Sequence, residues 1–169
     1  STKKMSNSNN KQNKPVFRTI LMAGLLAGTL DILSAFWYGY IKSGTHPATI
    51  LQYISKTAFR KPELDHSTLA IVTGLLIHYC IAVGWAVIFF ALYQKLKIMR
   101  TQIIVTAIMY GLFVWGMMNL LLLPLWTDKA FVLNPQSAII NAIILMLAIG
   151  LPLSVMAKKY YNHNTKNLV

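Results

Sequence analysis

The chain has 169 residues, of which 56% are hydrophobic and 12% charged, whereas soluble domains carry about 45–50% apolar and about 25% charged residues. The missing charge leaves long uncharged runs, which excludes a soluble fold with a large core and leaves no length for a separate soluble domain. A net charge of +12 invites a nucleic-acid reading, but the 16 Lys and Arg gather at the ends of the apolar runs. Membrane topology explains that placement better than a phosphate-binding face does, so no nucleic-acid partner is expected.

Residues 1–15 are Ser, Asn, Lys and Gln with almost nothing apolar, which predicts a disordered leader. Four apolar runs follow, at about 16–41, 67–93, 102–126 and 135–157, and residues 158–169 form a polar tail. Each run is long enough to cross a hydrocarbon core, which takes roughly 20 residues, and none shows the alternation of a barrel strand. The predicted fold is therefore all-α, a polytopic membrane protein built as a four-transmembrane-helix bundle, with sequential spans as antiparallel neighbours. The first run is too long for the core of a signal peptide and carries Asp31. Leu33 also stands where a small residue should precede a cut after Ala35. It is expected to remain as a span.

Within the first connection, the stretch PATILQYISKTAF (47–59) starts with a proline suited to a helix's first turn and repeats Ile50, Leu51, Ile54 and Ala58 at helical spacing. It reads as a short helix, lying in the outer interface or packed on the end of the bundle. Eleven Lys and Arg flank one side of the spans and five the other, including Lys95, Lys97 and Arg100 in the short second connection. By the positive-inside rule both termini are cytoplasmic. Trp37, Tyr38, Tyr40 and Trp126 then fall at the outer interface, and Tyr93, Tyr160 and Tyr161 at the inner one.

The spans also carry a polar set. Asp31 lies in the middle of the first, where a carboxylate costs about 2.5–3.5 kcal/mol even on lenient insertion scales, so it must face a partner or a cavity. Gly24, Ala27, Gly28, Ser34 and Ala35 share its helical face, and Gly24 with Gly28 makes a GxxxG pair suited to close helix approach. The second span offers His78 on a face with Gly74, Ala82 and Trp85. The third offers Asn119 with Trp115, Gly116 and Leu123, and the fourth Asn141 with Ser137, Ala138 and Ala148. At about 1.5 Å per residue, Asp31 and His78 lie a few Å outside the midplane and the two asparagines roughly 7 Å outside it. One cluster in the outer half of the bilayer can hold all four. Asparagines often serve only as glue between helices, whereas a membrane carboxylate marks a proton or ligand route about as often as it marks packing. Gly24, Gly28, Gly74 and Gly116 are the expected points of close helix packing.

No His or Cys pair stands at metal-ligand spacing and no phosphate loop or nucleophile elbow occurs, so no metal, cofactor or catalytic residue is expected. Cys80 is the sole cysteine, which excludes an intramolecular disulfide.

The strings AGLLAGTLDILSAF, ILQYIS, GLLIHY, YGLFVWGMMNLLLLPL and IGLPLSVMA, spread over about residues 18–158, resemble a group of small bacterial membrane proteins with four predicted spans and no assigned activity. The resemblance implies a bacterial inner membrane and draws attention to Asp31, Gln52, His78, Asn119 and Pro124. Where such proteins commonly carry a histidine in the fourth helix, this chain has Asn141. The combined expectation is a non-enzymatic inner-membrane component with a polar pocket formed by Asp31, His78, Asn119, Asn141 and Gln52. Its partners are the lipid bilayer and a second copy or another membrane protein. The rivals are a small-solute or proton-coupled transporter using Asp31 and His78, and a membrane redox or enzyme subunit.

Overall fold

The computed structural model describes residues 15–60, 67–126 and 134–166, with side chains described up to residue 162 in the last stretch. The leader predicted at 1–15 falls, save for Pro15, outside the described residues, as do Glu63, Asp65, His66, Asp128, Lys129 and the end of the tail.

Helix α1 (Val16–Ser43) begins after an extended Pro15 and stops at Gly44, whose φ of 64° takes the left-handed conformation that glycine adopts freely. Helix α2 (Pro47–Phe59) opens with proline at its first position and ends at a left-handed Arg60. Helix α3 (Thr68–Lys95) is capped by Ser67, whose hydroxyl accepts from the Leu69 amide at 3.0 Å. A single turn, α4 (Ile98–Thr101), leads into α5 (Ile103–Trp126). Helix α6 runs through three consecutive segments, Pro135–Leu145, Met146–Gly150 and Leu151–Lys166, and is capped by Asn134 accepting from the Ser137 amide. Helices α1, α3, α5 and α6 are long and apolar enough to cross a membrane, so the chain is an all-α, multi-pass four-helix bundle. α2 is the helix expected between the first two spans.

Two prolines shape α5 and α6. Pro124 and Pro152 have no N–H to give to the carbonyls four residues earlier. In each helix the turn just before the proline widens to π geometry, over Met117–Leu122 and Met146–Gly150. The last amides before the prolines, those of Leu123 and Leu151, reach back five residues to Met118 and Met146. The π turn thus absorbs Pro124, and the third helix continues to Trp126, the end expected from the sequence. The fourth helix passes its expected end near residue 157 and continues to Lys166. Tyr161, on that extension, stacks on Tyr93 with ring centres 5.4 Å apart.

The helices pack as two close pairs that are joined by a further contact of α1 with α6. In the first, Gly24 and Gly28 of α1 lie against Tyr79, Ala82, Val83 and Ala86 of α3, and a Cβ on either glycine would come within 2.8 Å of that helix. Lipid tails are as apolar as the side chains, so close van der Waals contact is the main attraction here. In the second pair, Gly111 of α5 meets the Met146 backbone and Gly150 of α6 meets the Ala107 carbonyl, leaving no room for a Cβ on either. Gly74 does the same for α2, whose Leu51 carbonyl lies 2.0 Å from where a Gly74 Cβ would be. α2 also buries Leu51 and Ser55 against α3, with the Ser55 and Thr73 hydroxyls 2.8 Å apart. α2 is thus packed on α3.

Gly116 does not behave as expected. Nothing lies within 4 Å of a Cβ built on it, because it enters the π stretch where α5 turns its small residue away from neighbouring backbone. Tyr93, near the end of α3, is buried and stacked against Tyr161 of the α6 extension.

Between the two pairs, aromatic side chains fill the half of the bundle nearest α4. Phe89 sits edge-on to Tyr110 at 4.7 Å, Trp85 edge-on to Phe113 at 5.9 Å, and the Tyr110 hydroxyl donates to the Trp85 carbonyl at 2.6 Å. Phe89, Phe90, Val114 and Leu153 are almost completely buried in this layer.

Candidate functional site

Toward the α2 end, the space between the helix pairs is not filled. A cavity of about 380 Å³ opens there, lined by α1, α2, α3, α5 and α6. Its floor is the top of the aromatic layer, the buried Trp85, Val114 and Ile149, and its outer wall includes Tyr53, Thr57 and Trp126.

Asp31, His78, Asn119 and Asn141 all line this one cavity, each from a different span. Asp31 is half-buried and stands within electrostatic reach of His78. The two do not form an ion pair or a hydrogen bond among the described residues. The His78 Nε2–H instead donates to the Gly28 carbonyl at 2.8 Å, one turn before Asp31 on the same helix. That bond fixes the ring and leaves Nδ1 without a hydrogen bond among the described residues. It also explains Gly28, whose missing side chain lets α3 approach closely enough for His78 to reach the α1 backbone. A second link lies alongside, with the Tyr79 and Thr29 hydroxyls 2.9 Å apart.

Asn119 sits within the π stretch of α5. Its amide nitrogen donates to the Trp115 carbonyl at 2.9 Å, which leaves its side-chain oxygen as an acceptor. Asn141 faces the cavity with no hydrogen bond among the described residues. Among the described residues, the wall contains no Lys or Arg. Two cations of the α2 end are engaged with other groups, Arg60 donating to the Leu125 carbonyl and Lys42 to the Ser137 hydroxyl.

Gln52 is the sequence-predicted site residue that the cavity leaves out. On α2, Leu51 and Ser55 point at α3 while Tyr53, Ile54 and Thr57 point at the cavity. At about 100° per residue, Gln52 is turned away from it. The cavity residues missed by sequence reasoning, Tyr53, Thr57 and Trp126, come from α2 and the end of α5. Trp126 carried a signal, but an aromatic near the end of a span reads first as an interfacial anchor. On α6, Ile144 and Leu145 line the cavity one turn from Asn141 on its regular helical face, while Ile149 stands where Ala148 was expected. The π turn over Met146–Gly150 inserts an extra residue there, which a regular helical wheel cannot anticipate. Among the described residues no three His, Cys, Asp or Glu side chains gather as a metal site.

Compared with models of protein families, with curated proteins and with solved structures, the chain matches none.

Proposed function

We propose that the protein is a non-enzymatic component of a bacterial inner membrane that holds a small solute in this cavity, on the outer side of the bilayer. The observation that carries the reading is the convergence of one polar side chain from each of four spans on a single cavity of about 380 Å³. Small-molecule sites are commonly concave, mostly apolar and furnished with a few convergent polar groups, with volumes of about 300–1,000 Å³. The bacterial inner membrane is what the resemblance implies. The placement of both termini in the cytoplasm, with α2 outside, rests on the distribution of Lys and Arg.

Two experiments test it. Reporter fusions near Lys97 and at the C-terminus should report cytoplasm, and fusions near Glu63 and Asp128 the far side; the reverse pattern would put the cavity on the cytoplasmic side. Purified protein in detergent should show a saturable rise in melting temperature with some class in a panel of small amines, acids, sugars and neutral apolar compounds. A flat response to every class would remove the binding reading.

A second reading, transport of that solute with Asp31 and His78 handling a proton, is favoured by the two π turns. Both lie in helices that line the cavity, and π turns mark places where a helix can shift its register. Uptake by proteoliposomes with and without a pH gradient separates transport from static binding.

A further inference from the structure

Resting on the ligand-binding reading, the cavity's chemistry also specifies what enters. We propose that it selects a small organic cation, an ammonium group on an apolar body, with Asp31 as its counter-ion. Among the described residues, the only acidic group of the wall is the Asp31 carboxylate, and the wall holds no Lys or Arg. The Asn119 side-chain oxygen and the Asn141 amide oxygen are further acceptors in it. An anion would meet that carboxylate with no Lys or Arg to offset it. A wholly apolar guest would leave the carboxylate and the amides without partners in a water-poor site. A cation answers both, and a carboxylate with flanking acceptors offsets the loss of its hydration. Tyr53, Trp85 and Trp126 supply aromatic rings to the same wall, and ring faces attract quaternary ammonium groups. His78, also in the wall, is turned to the Gly28 carbonyl through its Nε2–H.

The test uses the full chain in detergent and a pair of probes of one shape, phenyltrimethylammonium and tert-butylbenzene, in which nitrogen and its charge are replaced by carbon. Benzenesulfonate serves as the anionic probe. Binding is read by calorimetry and by the fluorescence of Trp85 and Trp126. Phenyltrimethylammonium should bind about tenfold or more tighter than tert-butylbenzene, with benzenesulfonate weakest. Asp31→Asn should weaken the ammonium by about tenfold or more and leave tert-butylbenzene within about twofold, which also shows that the variant is folded. If Asp31→Asn does not fold, the wild-type preference between the two isosteric probes decides, together with Trp126→Leu, which should weaken the ammonium more than the hydrocarbon. Equal binding of the isosteres, or preference for the sulfonate, overturns cation selection while leaving a binding cavity. Binding of none of the three overturns the binding reading along with it.

Discussion

The two halves of the bundle use the same four helices in opposite ways. Near α4 the gap between the helix pairs is closed by Trp85, Phe89, Tyr110 and Phe113, with the Tyr110 phenol donating to a backbone carbonyl. Toward α2 the same gap holds a cavity, whose wall includes Asp31 and Asn141, neither of them hydrogen-bonded among the described residues. Lipid supplies no hydrophobic drive to close such a space, so packing within a membrane depends on shape and dispersion. The contrast teaches that the cavity is set by the contacts around it. Glycine crossings fix how close each pair comes, and the aromatic layer fixes how far apart the pairs stand.

The strongest way to break this arrangement is at the crossings. Gly74→Ala and Gly150→Ala place a Cβ 2.0 and 2.1 Å from the carbonyl oxygens of Leu51 and Ala107, and backbone cannot step aside as a flexible side chain can. Each should cost about 3 kcal/mol, the upper end for overpacked cores, seen as a large drop in detergent melting temperature. Gly116→Ala, with open space around it, should be neutral or stabilise by up to about 1 kcal/mol through helix propensity. Similar losses at all three positions would mean that the crossings lie elsewhere.

Filled and unfilled halves should also differ in how they tolerate truncation. Phe89→Ala removes a fully buried ring and should cost about 2 kcal/mol. That lies below the range for aqueous cores, because dispersion is lost but no transfer from water is involved. Ile144→Ala merely enlarges an existing cavity and should cost under about 1 kcal/mol by the same reasoning. Equal costs would show that the cavity collapses in the membrane. A smaller effect belongs to Tyr110→Phe, which removes the donor to the Trp85 carbonyl and should cost about 0.6–1.7 kcal/mol.

The spans, the helix between the first two, the Gly24/Gly28 crossing and the four polar cavity residues were legible in the sequence, because each follows from length, hydropathy or i, i+3, i+4 geometry. The second crossing was legible too, as the Ala107-xxx-Gly111 spacing, but no polar residue drew attention to it. What could not be read depends on departures from a regular helix. The π turns before Pro124 and Pro152 shift the faces of α5 and α6, which is why Gly116 was expected in a contact and Ile149 was not expected in the cavity. The orientation of α2 was equally hidden. Its short pattern is compatible with several faces, and only the Gly74 notch on α3 selects the one that aims Tyr53 and Thr57 inward and Gln52 away.

The most delicate comparison lies inside the cavity, between Asp31 and His78. A direct ion pair would make each residue the other's chief partner, and removing one would strand the other at a cost of several kcal/mol. The geometry differs, since His78 is held by the Gly28 carbonyl and Asp31 faces the cavity, with the two linked only through space. Asp31→Asn should therefore change stability by less than about 1 kcal/mol, because no protein partner is lost. His78→Phe should cost about 1 kcal/mol through the broken bond to Gly28. In the double variant the coupling should be about 0.5 kcal/mol, at the low end for neighbouring residues. A coupling above about 2 kcal/mol would reveal a direct pair and leave Asp31 less available as a counter-ion. Strict additivity would show that the space between them already screens the charges, which requires a cavity wet enough to keep a carboxylate ionised without help from the imidazole.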